Sequence, residues 1–205
     1  MGKLKLLAIG GRKIQSKLSG LLEPFNELRV MLADGKVYDR VGQAVGLDNF
    51  LSASGNDWKK NWSLHEVSNF LDKILPEKQV EKKIYQLFKK FLFLNRRRPE
   101  ERLSILFKWQ TAILSGFTPL LEACAVCGVK LKAARKISIS KGGVVCEKCS
   151  SSFNDLIDLS LREEAILRHL ISHSAETRAW IKINEKEDQF LEKLFNKFYS
   201  YHLLK

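Results

Sequence analysis

Four cysteines, all that the chain contains, fall in one pattern: Cys124-x-x-Cys127, then eighteen residues, then Cys146-x-x-Cys149. A two-residue gap lets consecutive thiolates turn onto a single ion, and two such knuckles supply the four soft ligands of a tetrahedral Zn²⁺ site. Gly128 follows the first knuckle, where a residue tolerant of positive φ helps a tight turn, and Gly142-Gly143 lets the chain reverse before the second. The expectation is structural zinc held by Cys124, Cys127, Cys146 and Cys149. No fourth position is left open, so catalysis at the metal is not expected. Three rivals use the same residues. Two disulfides would require an oxidising compartment, a thioredoxin-type site needs only one such pair, and an iron–sulfur cluster also takes four cysteines.

No other constellation competes for chemistry. The chain shows no Gly-rich phosphate loop, no nucleophile–base set and no paired carboxylates. His65, His169, His173 and His202 are scattered and receive no role. An enzyme is therefore not expected.

What stands out next is charge. The 205 residues carry a formal net charge of +12. Counted along the chain, this is +3 over residues 1–50, +5 over 51–123, +5 over 124–150 and −1 over 151–205. A basic excess attracts polyanions by releasing their condensed counterions, which points to DNA or RNA. Lys3, Lys5, Arg12, Lys13 and Lys17 lie in the first 20 residues without an acid among them and are the candidate phosphate contacts. Arg96-Arg97-Arg98 either extends that track or compensates a helix C-terminus. No apolar run approaches the roughly 18 residues of a membrane span. The N-terminal residues lack a full signal-peptide core, so the chain is read as cytoplasmic.

The elements that must position these groups read as α+β. Residues 1–46 show strand alternation at Leu4, Leu6 and Ala8 and again at Leu28, Val30 and Leu32. Asp34-Gly35 suits a two-residue hairpin turn, with Val37 and Val41 on the return strand. Residues 47–62 are turn-rich, and Trp58 and Trp62 are expected to pack at a domain junction. Ser63-x-x-Glu66 has the capping-box pattern, opening a helix with Leu64, Val67, Phe70, Leu71, Ile74 and Leu75 inward and ending at Pro76. A second helix turns Val80, Ile84, Leu87, Phe88, Phe91 and Leu92 inward. Pro99 suits the first turn of a third, carrying Leu103, Leu106, Phe107, Gln110, Ile113 and Leu114. Lys130, Lys132, Arg135 and Lys136 form a short basic ribbon between the knuckles. Ser160-x-x-Glu163 opens another helix, and a last one from about Glu187 places Phe190, Leu191, Leu194, Phe195 and Phe198 on a core stripe.

Three stretches of this sequence resemble the RecO family. Ala8-Ile9-Gly10-Gly11-Arg12-Lys13-Ile14-Gln15-Ser16-Lys17 followed by Leu22-Glu23-Pro24-Phe25 is similar to its N-terminal signature. Gly116-Phe117-Thr118-Pro119-Leu120-Leu121-Glu122-Ala123-Cys124 resembles the entry to its zinc module, and Gly142-Gly143-Val144-Val145-Cys146 the exit. Order and spacing agree along the chain. The resemblance implies a partial OB-like β domain at 1–46, a helical domain at 47–123, a four-cysteine zinc module at 124–150 and C-terminal helices at 151–205 that pack with the helical domain. Family members carry about two further strands before the turn seen here as Gly2-Lys3. An incomplete barrel, covered by another chain, is therefore expected. The implied job is DNA repair and recombination: binding single- and double-stranded DNA, annealing complementary strands, and helping RecR load RecA onto strands coated by single-stranded-DNA-binding protein. That protein's acidic C-terminal tail would dock on the helical domain. From the residues alone, a zinc ribbon serving RNA or transcription machinery and a thiol redox enzyme stay open.

Overall fold

Eight and ten residues of extended chain, β1 (Asn26–Ala33) and β2 (Arg40–Asn49), pair antiparallel. The computed structural model describes residues 2–11, 13–51, 58–97, 102–133, 136–172 and 183–202, with backbone alone at 58–60. Leu28 faces Gly46 and Val30 faces Ala44, with register shifts after Glu27 and Met31 that bend the ribbon. The strands are joined by Asp34–Asp39, not by a two-residue Asp34-Gly35 turn. Gly35 is needed there for close approach, because a Cβ would lie 1.8 Å from the Tyr38 carbonyl oxygen. The strand expected at Leu4–Ala8 does not form either. Leu7 makes a single bridge to the edge of β2, donating to Asp39 O at 2.9 Å and accepting from Val41 N at 3.0 Å. Gly10, at φ +71°, then turns the chain away into a run of tight turns, Lys13 N–Gly10 O, Ser16 N–Lys13 O and Leu21 N–Leu18 O among them.

Helix α1 (Trp58–Ile74) starts five residues before the expected cap. Ser63 is buried within it and donates to Asn95 Oδ1 at 3.0 Å, so its hydroxyl serves a tertiary bond rather than a capping box. Leu64, Val67, Phe70 and Leu71 are buried as the periodicity requires, each contributing about 1.5–3 kcal/mol. Helix α2 (Lys82–Arg97) buries Ile84, Leu87, Phe91 and Leu92, whereas Val80 lies before it and is exposed. The extended N-terminal residues run beside the α1–α2 connection, where Lys78 N donates to Lys3 O at 2.8 Å. Ion pairs tie the ribbon to α2: Glu27 to Lys89 at 2.7 Å and Asp48 to Arg96 at 2.8 Å.

The chain divides into two compact units, Met1–Glu101 and Arg102–Lys205. The second is built on α3 (Arg102–Leu114), which is buried on nearly every side from Ser104 to Ala112. Pro99 and Arg98 lie outside the described residues. Trp109 is 1% exposed, donates its indole N–H to Leu191 O at 3.2 Å, and meets Phe195 edge-on with ring centroids 5.3 Å apart. The aromatic stripe of α6 (Glu185–His202) is thus core, with Leu191, Leu194, Phe195 and Phe198 all buried. Helix α5 (Leu161–Ser172) opens with the capping box expected of Ser160 and Glu163: Glu163 N donates to Ser160 Oγ at 3.2 Å and Ser160 N to Glu163 Oε2 at 2.7 Å. Asn184 and Glu187 form the same reciprocal pair at the start of α6, at 3.0 and 2.8 Å.

Between α3 and α5 lies a three-stranded antiparallel sheet of three-residue strands, β3 (Lys136–Ser138), β4 (Gly143–Val145) and β5 (Leu156–Asp158), in the order β4-β3-β5. A single turn of helix, α4 (Glu147–Ser150), follows β4. The fold is mixed helix and sheet, with small sheets and one cysteine cluster among the described residues.

A candidate metal centre and a candidate nucleic-acid interface

The segment before the first cysteine is laid along β4 by backbone bonds. Leu120 N donates to Gly142 O at 3.0 Å, Val144 N to Leu120 O at 2.8 Å, and Ala125 N to Val144 O at 2.8 Å. Gly143 permits this approach, since a Cβ there would lie 2.6 Å from Leu120 O. From the other side, Arg168 of α5 donates to Leu121 O at 2.5 Å while its own charge is met by the buried Glu164 at 2.8 Å. The chain then folds back on itself, Cys124 N to Val129 O at 2.9 Å and Gly128 N to Cys124 O at 2.9 Å, with Gly128 at φ +73°. This register sets Cys124 against the second knuckle, and Cys146 N points at Cys124 Sγ at 3.4 Å. Cys146 stands at the N-cap position of α4, whose single turn carries Cys149 back toward it, Cys149 N donating to Cys146 O at 3.1 Å.

All four sulfurs consequently lie within 4.8 Å of one another, and Cys127 Sγ is 3.8 Å from Cys146 Sγ. Every one of them is a free cysteine. Zinc–sulfur bonds near 2.3 Å place the sulfurs of a tetrahedron about 3.8 Å apart, so the four cysteines fit a metal ion and could bind one. The electrostatics point the same way. Burial pushes the Cys124 thiol up, but N–H groups of Cys127, Cys146 and Val126 outweigh it and bring the group down to about 6. Cys149, hydrogen-bonded to Cys146, partly buried and beside the other sulfurs, is pushed up to about 12. Backbone dipoles can thus hold part of the negative charge, and a bound dication would allow the rest to develop. Beside the cluster opens a groove of about 730 Å³ lined by Cys127, Val129, Leu131, Val145, Lys136 and Lys148. Lys130, Lys132 and Lys148 are exposed and carry no ion pair among the described residues, while Lys141 lies over the Phe153 ring at 5.4 Å.

The N-terminal cations separate into two sets. Lys3 is drawn onto α1, bonded to Asp72 O at 2.6 Å and to its carboxylate at 3.1 Å. Lys5 pairs with Glu77 at 2.5 Å; that hydrogen bond raises the Lys5 pKa above its usual value and lowers that of Glu77. Lys13 and Lys17 stand on the turn-rich loop, exposed and unpaired among the described residues, beside Ile14 at 98% exposure. Arg12 lies outside the described residues, as do Arg135 and His173. Trp62, expected to pack, is 68% exposed; the Trp58 side chain lies outside the described set.

A family profile described as "Recombination protein O C terminal" matches residues 55–205, which include α1 to α6 and the whole cysteine cluster. The chain belongs to the RecO family. Curated RecO relatives match almost end to end. "DNA repair protein RecO" of Pelotomaculum thermopropionicum is 24% identical over 202 residues, 98% of this chain and 78% of the relative. The proteins of the same name from Caldanaerobacter subterraneus and from a Roseiflexus species are 27% and 26% identical, covering 98% and 100% of this chain and 82% and 72% of theirs. No helix among the described residues is long and apolar enough to cross a membrane.

Two features of this RecO chain escaped the sequence reading. Asn184-x-x-Glu187 was a legible cap that the nearby hydrophobic stripe overshadowed. The other is an aromatic–guanidinium stack at the end of α2. Its i, i+4 spacing of Phe93 and Arg97 was visible, but the contribution of Phe50, forty-odd positions away, was not.

Proposed function

We propose that this chain is a DNA repair and recombination mediator that binds single- and double-stranded DNA and anneals complementary strands. In this role it helps RecR load RecA onto single strands coated by single-stranded-DNA-binding protein, whose acidic tail docks on the helical part. The observation that carries the reading is the end-to-end match: relatives named for DNA repair align with 98% or more of the chain. The net charge of +12 supports a polyanionic partner.

In this reading Lys13 and Lys17, with Arg12, make the primary phosphate contacts, and Lys3 and Lys5 contribute less because each shares its charge with a carboxylate. Phosphate contacts carry no sequence information, which suits a protein that must act on any strand. Neutralising phosphates on two strands at once lowers their mutual repulsion and lets complementary bases find each other without nucleotide hydrolysis. Cys124, Cys127, Cys146 and Cys149 would hold a structural Zn²⁺, which supplies folding free energy to a sheet of three-residue strands. The β1–β2 ribbon is the OB-like portion in this scheme, and the cytoplasm, at the nucleoid, is where it acts.

The test is annealing of two complementary oligonucleotides, one carrying a fluorophore and the other a quencher, without ATP. Acceleration over the spontaneous rate by the purified chain is expected. A rate equal to the protein-free control, with oligonucleotides left unbound, would overturn the proposal.

A further inference from the structure

Phe93 lies on the outer face of α2, 39% exposed although it is a large hydrophobic side chain. One turn further on, the guanidinium carbon of Arg97 sits 4.3 Å from its ring centroid. Arg96 lies 5.8 Å from the same ring and 5.3 Å from that of the buried Phe50, and Asp48 fixes it with a 2.8 Å ion pair. Arg96 thus braces the stack from the inside with its charge already met. Arg97 is exposed, and no carboxylate pairs with it among the described residues. A cation that served only the helix dipole would need neither a ring beneath it nor a braced neighbour.

A guanidinium laid on an aromatic face offers two things: a planar surface on which another π system stacks, and a fork of N–H donors that fits a phosphate. An unpaired nucleobase and its adjoining phosphate present both complements. In a duplex the base faces are buried in the helical stack, so only a single strand can use such a platform. We propose that Phe93 and Arg97 form a stacking site for one unpaired base of single-stranded DNA, with the Arg97 fork on the neighbouring phosphate and Arg96 acting as a positioning residue. The site rests on the DNA-binding reading above and adds to it strand discrimination, which phosphate contacts from Lys13 and Lys17 cannot supply.

The test compares the full chain with Phe93→Leu, Arg97→Lys and Phe93→Trp, by fluorescence anisotropy, on three probes: labelled oligothymidylate, an abasic oligomer of equal length, and a duplex. Loss of one stacked base is expected to weaken oligothymidylate binding about five- to tenfold in Phe93→Leu and Arg97→Lys. Affinity for the abasic oligomer and the duplex should stay within about twofold, and the salt slope of Arg97→Lys should not change, because its charge is kept. Phe93→Trp, which restores a stacking surface, should recover what Phe93→Leu loses. Variants that bind oligothymidylate like the wild type, or that lose all three probes equally, overturn the site while the DNA reading stands. A wild-type chain that binds none of the probes overturns both. Should Phe93→Leu fail to fold, the exposed Arg97→Lys carries the test alone.

Discussion

Cys127 is the exposed member of the thiolate cluster and Cys124 the buried one, 1% accessible. The two ends of the site therefore differ: Cys124 would seal a bound ion against the sheet, and Cys127 faces the groove. Replacing either should release the metal. We expect the purified chain to carry one zinc per molecule by elemental analysis and Cys124→Ser to carry none. The free energy of a structural site, roughly 10–16 kcal/mol in small modules, is then withdrawn from a sheet of three-residue strands, so chelation should melt the 120–158 region first. Full zinc retention in Cys124→Ser, or a metal-free wild type of unchanged stability, would refute this. Glu187 gives a second prediction at this scale. The Asn184 N–H and, against some burial, Arg162 hold its carboxyl below the ordinary glutamate range. A depressed native pKa means that its contribution is present at neutral pH and is lost as the pH falls through the native value. Glu187→Gln should therefore lower stability at neutral pH and flatten the acid limb of a pH–melting curve, and an acid limb identical to the wild type would exclude the role.

At the scale of elements, what decides legibility is whether the neighbours of a residue are local. The Ser160-x-x-Glu163 box is satisfied by its own turn and was readable from four letters. Ser63-x-x-Glu66 has the same letters, yet Ser63 sits inside α1, where its hydroxyl finds Asn95 on α2. A tertiary partner outranks a local cap, and no window of sequence contains both residues. The N-terminal alternation at Leu4, Leu6 and Ala8 failed for a related reason: only Leu7, from the opposite phase, bridges to the β2 edge. Strands β3, β4 and β5, at three residues each, are too short to show a period of two. Helix α3 was legible as a helix but not as the hub of its unit, because burial on nearly all sides depends on α5 and α6 arriving from far along the chain. Its centre is Trp109. Truncation to alanine removes two ring–ring interactions and leaves Leu191 O without its indole donor, so a loss of about 3–5 kcal/mol is expected in urea unfolding. A change under about 1 kcal/mol would mean that the core lies elsewhere.

Across the whole molecule, the gathering of the four cysteines was legible because ligands for one ion would need such spacing, whereas the basic surface was legible only as a total. A net charge of +12 says nothing about which cations are already spoken for. The fold divides them: Lys3, Lys5, Lys89 and Arg96 are paired with Asp72, Glu77, Glu27 and Asp48, while Lys13, Lys17 and Arg97 have no carboxylate partner among the described residues. Two unpaired lysines on one loop make a graded expectation possible. The measurement that tests it most directly is the affinity of the zinc-loaded chain for an oligonucleotide across a salt series, with Lys13→Glu/Lys17→Glu beside the wild type. Log affinity should fall linearly with log salt for every sequence tried. The double variant should lower both the affinity and the slope, the latter by roughly 0.7 for each single-strand phosphate that is no longer neutralised. A wild-type chain that leaves oligonucleotides free even in dilute buffer, or a double variant with an unchanged slope, would contradict it.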